Sequence, residues 1–357
     1  VGDALRVGIV GIGNISRQYL ETLPRLPGVS LVAAADLDPA RVVPDVRMLR
    51  PRELYAADDV DLVLNLTIPQ AHAEVALSAI GAGKHVYGEK PLALSTSEGQ
   101  EVLSAAAAAG VRVGCAPDTV LGTGTQTARR CLDEGAIGTP VAATAFMVTP
   151  GHERWHPDPE FYYRPGGGPL LDMGPYYLTA LVTLLGPVRR VTGFASAPRA
   201  SRVIGSGPRA GTEFPVEVAT HVAGVLEHEN GAITTLMMSF DVWAADLPRI
   251  EVYGTDGSLS VPDPNGFDGE VRRYEPGKEW QPVPASAGYR DAGRGTGVAD
   301  LAAALATGTE HRASGAVAYH VLDVMESLLA AAELGQARDV ASTCPRPAAV
   351  TAEQARY

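Results

Sequence analysis

At 357 residues the chain is longer than one typical domain and suits two. Its formal charge of −12 argues against nucleic acid or an anionic membrane as partner, because both require clustered basic surface. Hydrophobic residues at 46% and charged residues at 20% fit an ordinary globular protein. No run of about 18 apolar residues escapes polar interruption, so no membrane partner is expected. Val1 to Arg6 lead straight into a strand, leaving no room for a signal peptide, and a cytoplasmic location is expected. Cys115, Cys131 and Cys344 are too few and too scattered for a disulfide framework or a zinc site. Buried free thiols are expected instead.

The first part of the chain alternates short apolar runs with helical patterns. Arg6 to Val10 reads as a strand, followed by a glycine turn and a helix through about Leu23. Strands are expected at Val29 to Ala35, Asp61 to Leu66, His85 to Tyr87 and Val111 to Cys115, with helices at Ala71 to Ala82 and Ser97 to Ala109. Continuous Val, Ile and Leu strands alternating with helices define an α/β Rossmann-type fold, a doubly wound parallel sheet covered on both faces. One segment fits poorly. Pro39 to Asp61, interrupted by Pro44 and Pro51, is too short for a normal helical crossover plus another strand. Either the connection is trimmed, or residues near Arg41 to Pro44 are absent from the numbered chain.

Beyond about Thr119 the pattern changes. After a helix from Thr125 to Glu134, strand-like stretches dominate: Val141 to Val148, Val188 to Ala195, Val216 to Glu227, Ala232 to Val242 and Arg249 to Tyr253. Asn230-Gly231 supplies the positive φ angles of a tight hairpin. A last helix runs from about Ala316 to Leu334. The expected organisation is therefore a dinucleotide-binding domain over residues 1–118 and, over 119–357, an α+β domain built on a large, mostly antiparallel open sheet.

Gly11-Ile12-Gly13-Asn14-Ile15-Ser16 follows a strand and opens a helix. In that setting the first glycine makes the turn and the second lets the backbone approach a pyrophosphate at the helix N-terminus. Ser16 stands in the place of a third glycine and is still small. The second strand ends at Asp36, whose carboxylate can accept hydrogen bonds from a ribose diol. The same carboxylate would repel a 2′-phosphate, and Leu37 offers no positive charge, which favours NAD over NADP; Arg41 is the one nearby cation able to bind a phosphate. A strand then ends in Glu89-Lys90-Pro91 at the carboxyl edge of the sheet, where doubly wound folds place their ligands.

Together, Gly11 to Ser16, Asn65-Leu66-Thr67-Ile68-Pro69 with His72, and Ala82 to Val86 running into Glu89-Lys90-Pro91 resemble the glucose–fructose oxidoreductase / inositol dehydrogenase / rhizopine catabolism (Gfo/Idh/MocA) family. The resemblance continues through Gly166 to Tyr177 and Tyr253 to Gly257, in the family's order and spacing. It implies a nicotinamide-dependent oxidoreductase whose active site lies in the cleft between its two domains. Lys90 would lie beside the nicotinamide and the substrate. Glu89 would reach the nicotinamide-side ribose, and the Lys90–Pro91 bond would be cis. Cofactor contacts are thus expected at Gly11, Gly13, Asn14, Ile15, Asp36, Thr67, Pro69, His72, Glu89 and Lys90. Many relatives carry Asp-x-Gly-x-His as a second catalytic cluster. Here Asp172-x-Gly174-x-Tyr176 puts tyrosine in the histidine position, which removes that histidine as general base.

Neither lysine nor tyrosine is a good base near neutrality without help. Lys90 and Tyr176 are therefore expected to share the proton transfer, with Asp172 orienting a substrate hydroxyl or Lys90. The loop from Gly151 to Pro159 mixes aromatic and hydrogen-bonding side chains, which suits a polyhydroxylated ligand: tryptophan stacks on a sugar ring and histidine binds its hydroxyls. Trp155 and His156 are the expected substrate contacts, and Arg164 would meet a carboxylate if the substrate is a sugar acid. The spacing of His152, Glu153 and His156 matches no recognised ligand set, so no metal is expected. The function expected is hydride transfer between NAD and a secondary alcohol or ketone carbon of a sugar, inositol or related polyol. Two alternatives stand beside it: a glycosidase using NAD without net redox change, and a non-catalytic dinucleotide-binding regulator. Met237, Met238, Phe240 and Trp243 suggest an exposed apolar face on the second sheet and hence a homodimer or homotetramer through it.

Overall fold

The computed structural model describes residues 4–351 and 354. They form two compact units. The first holds the residues up to Gln126, Ala287–Leu322 and those from Pro347 onward; the second holds Thr127–Ser286 and Asp323–Arg346.

The first unit is built on six parallel strands: β1 (Leu5–Val10), β2 (Val29–Ala35), β3 (Arg47–Leu49), β4 (Leu62–Asn65), β5 (His85–Gly88) and β6 (Val113–Cys115). Their order is β3-β2-β1-β4-β5-β6, so the direction of winding reverses between β1 and β4. Helices α1 (Ser16–Thr22), α2 (Pro51–Ala56), α3 (His72–Gly81) and α4 (Thr96–Ala109) connect them. The apolar runs are continuous because helices cover both faces: Val7, Ile9, Ala33, Ala34, Leu62, Val63 and Leu64 are all fully buried. The short Pro39 to Asp61 segment resolves into a trimmed connection. β2 reaches β3 through turns without a helix, and α2 follows β3, with Pro51 in its first turn where the missing N–H costs nothing.

Helix α5 (Thr123–Asp133) leads into the second unit. There β7 (Pro140–Val148), β8 (Val188–Ser196), β11 (His221–His228), β12 (Ile233–Ser239), β13 (Ile250–Gly254), β14 (Ser258–Val261), β15 (Val271–Tyr274), β16 (Gln281–Val283) and β17 (Arg338–Asp339) make one nine-stranded sheet. Its pairs are antiparallel except β7 with β12, which run parallel. A separate two-stranded ribbon joins β9 (Ser201–Val203) to β10 (Glu213–Pro215). Helix α6 (Pro169–Leu185) is buried along almost its whole length.

The units are not two continuous segments. Helix α7 (Thr296–Thr307) and the first part of α8 (Gly315–Leu334) belong to the first unit. The return is held by long-range pairing: the Cys115 N–H donates to the Ala313 carbonyl at 3.0 Å, and Gly114 bridges Ser314. Spacing along the sequence carries no trace of such contacts.

The expected apolar surface is also redistributed. Met238 and Phe240 are fully buried, Met237 is half-buried, and Trp243 lies exposed beneath the Arg154 guanidinium. Adjacent strand residues point to opposite faces, so Met237 and Met238 cannot share one. The open face instead carries Phe194, Val225 and Ile233.

Candidate active site

The carboxyl ends of β1, β2, β4 and β5 gather the first set of candidates. Gly11 follows β1 at φ +97°, and its N–H donates to the Ala35 carbonyl at 2.9 Å. A Cβ there would stand 2.7 Å from the Leu66 carbonyl oxygen, so only glycine lets these strand ends pack together. Gly13 faces open space within 4 Å, the room a pyrophosphate needs against the backbone. Asn14 is exposed and Ile15 half-buried beside it. Ser16 is buried and donates its Oγ–H to the Gly13 carbonyl at 2.7 Å, so the hydroxyl fastens the turn that a third glycine would only permit.

Asp36 closes the turn from β2. One carboxylate oxygen accepts the Ile12 N–H at 2.6 Å and the other the Asp38 N–H at 2.9 Å. Arg41 lies 3.6 Å from both the Asp36 and the Asp38 carboxylates. Its charge is thus drawn to acidic partners. An ionised carboxylate has about four acceptor positions, so Asp36 keeps capacity for a ribose diol.

The Lys90–Pro91 bond is cis. Glu89 is buried, and both its oxygens serve the protein's own frame: one accepts the Tyr19 hydroxyl at 2.8 Å and the other the Lys90 N–H at 3.1 Å. Burial, followed by the Glu89 charge, pushes the Tyr19 phenol well above its ordinary pKa, so its O–H stays a donor. This brace ties Lys90 to the helix that follows the glycine turn. Thr67 donates its Oγ1–H to Asn65 Oδ1 at 2.6 Å, and Asn65 donates to the His72 carbonyl at 3.0 Å. Pro69 opens a single 3-10 turn. His72 itself is buried, with Nδ1 2.6 Å from the Pro91 carbonyl and Nε2 3.1 Å from the Thr67 carbonyl. Expected as a cofactor contact, it is placed as a clamp between two loops of the sheet edge.

In the second unit, Asp172 lies in the first turn of α6, where a negative charge suits the helix dipole. Tyr176, one turn on, is buried. His152 places Nε2 3.2 Å from Asp172 Oδ2. Its ring sits among Phe240, Tyr162 and Trp155, at centroid distances of 4.4, 4.7 and 5.2 Å. Trp155 is 59% exposed and meets His156 edge-on at 5.4 Å. The structure therefore brings Trp155, His156 and Asp172 into one aromatic cluster around His152. Arg164 stands apart, exposed at the end of the turn that carries Tyr162.

Beneath the cluster lies a buried ionic frame. Arg202 donates to Glu153 at 2.8 Å and to Asp241, and also reaches the Phe240 carbonyl at 3.2 Å. Tyr163 donates its hydroxyl to Glu153. Gly151, at φ +114°, would bring a Cβ to 2.1 Å from the Glu153 carboxylate, so glycine is required there. The sequence singles out neither Arg202 nor Tyr19, and His152 stood in it only as one member of the polar and aromatic loop, with no individual role. Their partners lie far away in the chain, and the sole local signal was the density of aromatic and polar residues after Gly151.

A six-stranded doubly wound sheet with a glycine turn, an acidic residue ending the second strand and a lysine at the carboxyl edge defines a dinucleotide-binding enzyme. Residues 5–116 match the family model described as oxidoreductase family, NAD-binding Rossmann fold, and residues 125–260 match the GFO/IDH/MocA C-terminal domain. The chain belongs to the Gfo/Idh/MocA family and is an NAD-binding oxidoreductase. It is 29% identical over 267 residues to 1,5-anhydro-D-fructose reductase of Ensifer adhaerens, covering 71% of this chain and 74% of that protein. It is 33% identical to inositol 2-dehydrogenase 3 of Saccharopolyspora erythraea over 149 residues, covering 39% of this chain and 44% of the relative. Its fold is also that of a levoglucosan dehydrogenase solved with NADH and L-sorbose, with a TM-score of 0.80 at 20% identity over 96% of this chain and all of the other.

Proposed function

We propose that the protein interconverts a secondary alcohol and a ketone on a sugar, inositol or related polyol. The observation that carries this reading is the bracing of Lys90. A lysine at a strand end is ordinarily a solvated charge, yet Glu89 and Tyr19 tie its backbone to the helix after the glycine turn. The names of the relatives, a sugar-derivative reductase and an inositol dehydrogenase, support the substrate class, as does the exposed Trp155 face beside two histidines.

Gly11, Gly13 and Asp36 would hold the dinucleotide, with Thr67 and Pro69 along the β4 edge. When bound, its nicotinamide accepts or returns the hydride. Lys90 and Tyr176 share the proton of the substrate hydroxyl, and Asp172 accepts a hydrogen bond from that hydroxyl and orients it. Trp155 covers the C–H face of the ring and His156 binds a neighbouring hydroxyl. NAD is used in preference to NADP, because Asp36 would meet a 2′-phosphate with its charge and Arg41 is already drawn to two carboxylates. We also propose a homodimer or homotetramer assembled through the open face of the second sheet.

The test is a panel of sugars, inositols and sugar acids with NAD and with NADP, followed by absorbance of reduced cofactor. Net NADH with at least one cyclic polyol is the expected result. Bond cleavage without net reduced cofactor, or no turnover of any polyol, overturns the reading.

A further inference from the structure

We propose that His152 is the positioning residue of Asp172: it fixes the carboxylate that receives the substrate hydroxyl, and it does not itself carry the proton. The inference rests on the dehydrogenase reading for its consequence in turnover, but its geometry lies within the second unit alone. His152 Nε2 lies 3.2 Å from Asp172 Oδ2. An ionised carboxylate only accepts, so the imidazole donates from Nε2. Nδ1 is buried and has no hydrogen-bond partner. A ring whose second nitrogen opens neither to water nor to a polar group has no outlet through which to pass a proton on. What it supplies is one directed N–H.

The surroundings hold that N–H still. Phe240, Tyr162 and Trp155 pack on the ring, and the adjacent Glu153 is anchored by Arg202 and Tyr163. The Gly205 N–H adds a 2.7 Å bond to the Glu153 carbonyl. The charged and titratable groups around the ring are therefore Asp172 from α6, Glu153 and His156 from its own loop, Tyr162 from the following turn, and Arg202 from β9. With one carboxylate oxygen held by His152, the orientation of Asp172 toward a substrate hydroxyl is restricted. A site needs such support to stay within about 0.5 Å of productive geometry.

The experiment compares His152→Gln and His152→Leu in the full chain. Leucine removes the donor and is expected to lower kcat about 100-fold, the cost of a misplaced catalytic group. Glutamine retains an N–H donor and is expected to stay within about tenfold of wild type, with the inflections of its pH profile unmoved. If the glutamine variant is as impaired as the leucine variant and a limb of the pH profile disappears, His152 is a proton carrier and the proposal fails. Unchanged kcat in the leucine variant overturns it equally. A second measurement needs no turnover. In 15N spectra of the histidine-labelled protein, the signal missing from His152→Gln is expected to show a protonated Nε2 and an unprotonated Nδ1, and to move in Asp172→Asn. Absence of that tautomer, or indifference to Asp172→Asn, overturns the pairing even if no polyol proves to be a substrate.

Discussion

Lys90 is not held by its own side chain's neighbours alone. Tyr19 reaches across the sheet edge to Glu89, and Glu89 in turn grips the Lys90 N–H. The lysine's role in proton transfer and this brace are separable. Lys90→Met keeps the stem and loses the ammonium, so kcat should fall about 10²- to 10⁴-fold, the usual worth of a general acid or base, while NAD affinity by calorimetry stays near wild type. Asp36 makes the complementary case. Removing its carboxylate in Asp36→Ala leaves the Ile12 N–H without its 2.6 Å acceptor as well as removing the ribose contact. NAD affinity is expected to drop by about 1–3 kcal/mol, and unchanged affinity would remove Asp36 from the cofactor site. The place of each at a strand end was legible in consecutive residues, Asp36 after β2 and Lys90 after β5, while the role expected of Lys90 came from the resemblance that Glu89-Lys90-Pro91 carries. His72 was legible only as part of a pattern. That its imidazole spans the Thr67 and Pro91 carbonyls depends on the pairing of β4 with β5, which no local spacing encodes.

Helix α7 shows how a segment distant in sequence becomes part of the first unit. Asp118, just past β6, is fully buried and accepts the Gly295 and Gly297 N–H groups at 2.8 and 2.9 Å. A helix start leaves such N–H groups without intrahelical partners, so a carboxylate from elsewhere completes it. Burial holds the Asp118 carboxyl above its ordinary pKa, against the opposing pull of Arg294 and the two N–H groups. Asp118→Ala would leave two buried donors unpaired, a loss of about 2–6 kcal/mol at about 1–3 each. Asp118→Asn keeps an oxygen acceptor and should cost distinctly less in the same urea titration; equal losses would show that the cap is not what Asp118 contributes. The hairpin expected at Asn230-Gly231 closes, with the His228 N–H donating to the Ala232 carbonyl at 2.9 Å, but of the two residues Gly231 alone takes a positive φ, +87°. The return of α7 was not readable, since the contacts that dock it come from far away in the chain, Asp118 standing 177 residues before Gly295.

Acid should loosen the first unit, because three of its histidines are disposed to stay neutral. Burial is the leading cause lowering the pKa of His72, His85 and His311. His85 Nδ1 accepts the Arg112 N–H at 2.9 Å and would lose that bond on gaining a proton, and His311 Nδ1 is buried without a partner. A folded-state pKa below the unfolded value of about 6.5 means stability is fully present above that pH and lost as pH falls below it, by up to about 1.4 kcal/mol per pH unit for each group. His311→Gln should flatten the fall of unfolding free energy below pH 6.5 by about one proton's worth; an unchanged slope would exempt His311. The second sheet invites a different test. Cross-strand partners Phe194, Ala223, Met237 and Phe146 form one row on its open face, and Val225 and Ile233 flank it. Phe194, at the β8 end of the row, is 77% exposed, an unusual state for a phenylalanine in an apolar row. If that row is an assembly surface, a charge in place of its most exposed apolar side chain must be desolvated on association, which costs more than the row's apolar contact returns. Wild-type protein should therefore sediment as a dimer or tetramer and Phe194→Asp as a monomer with an unchanged thermal transition of the second unit. A monomeric wild type, or a Phe194→Asp variant that still assembles, would take the open face out of the assembly.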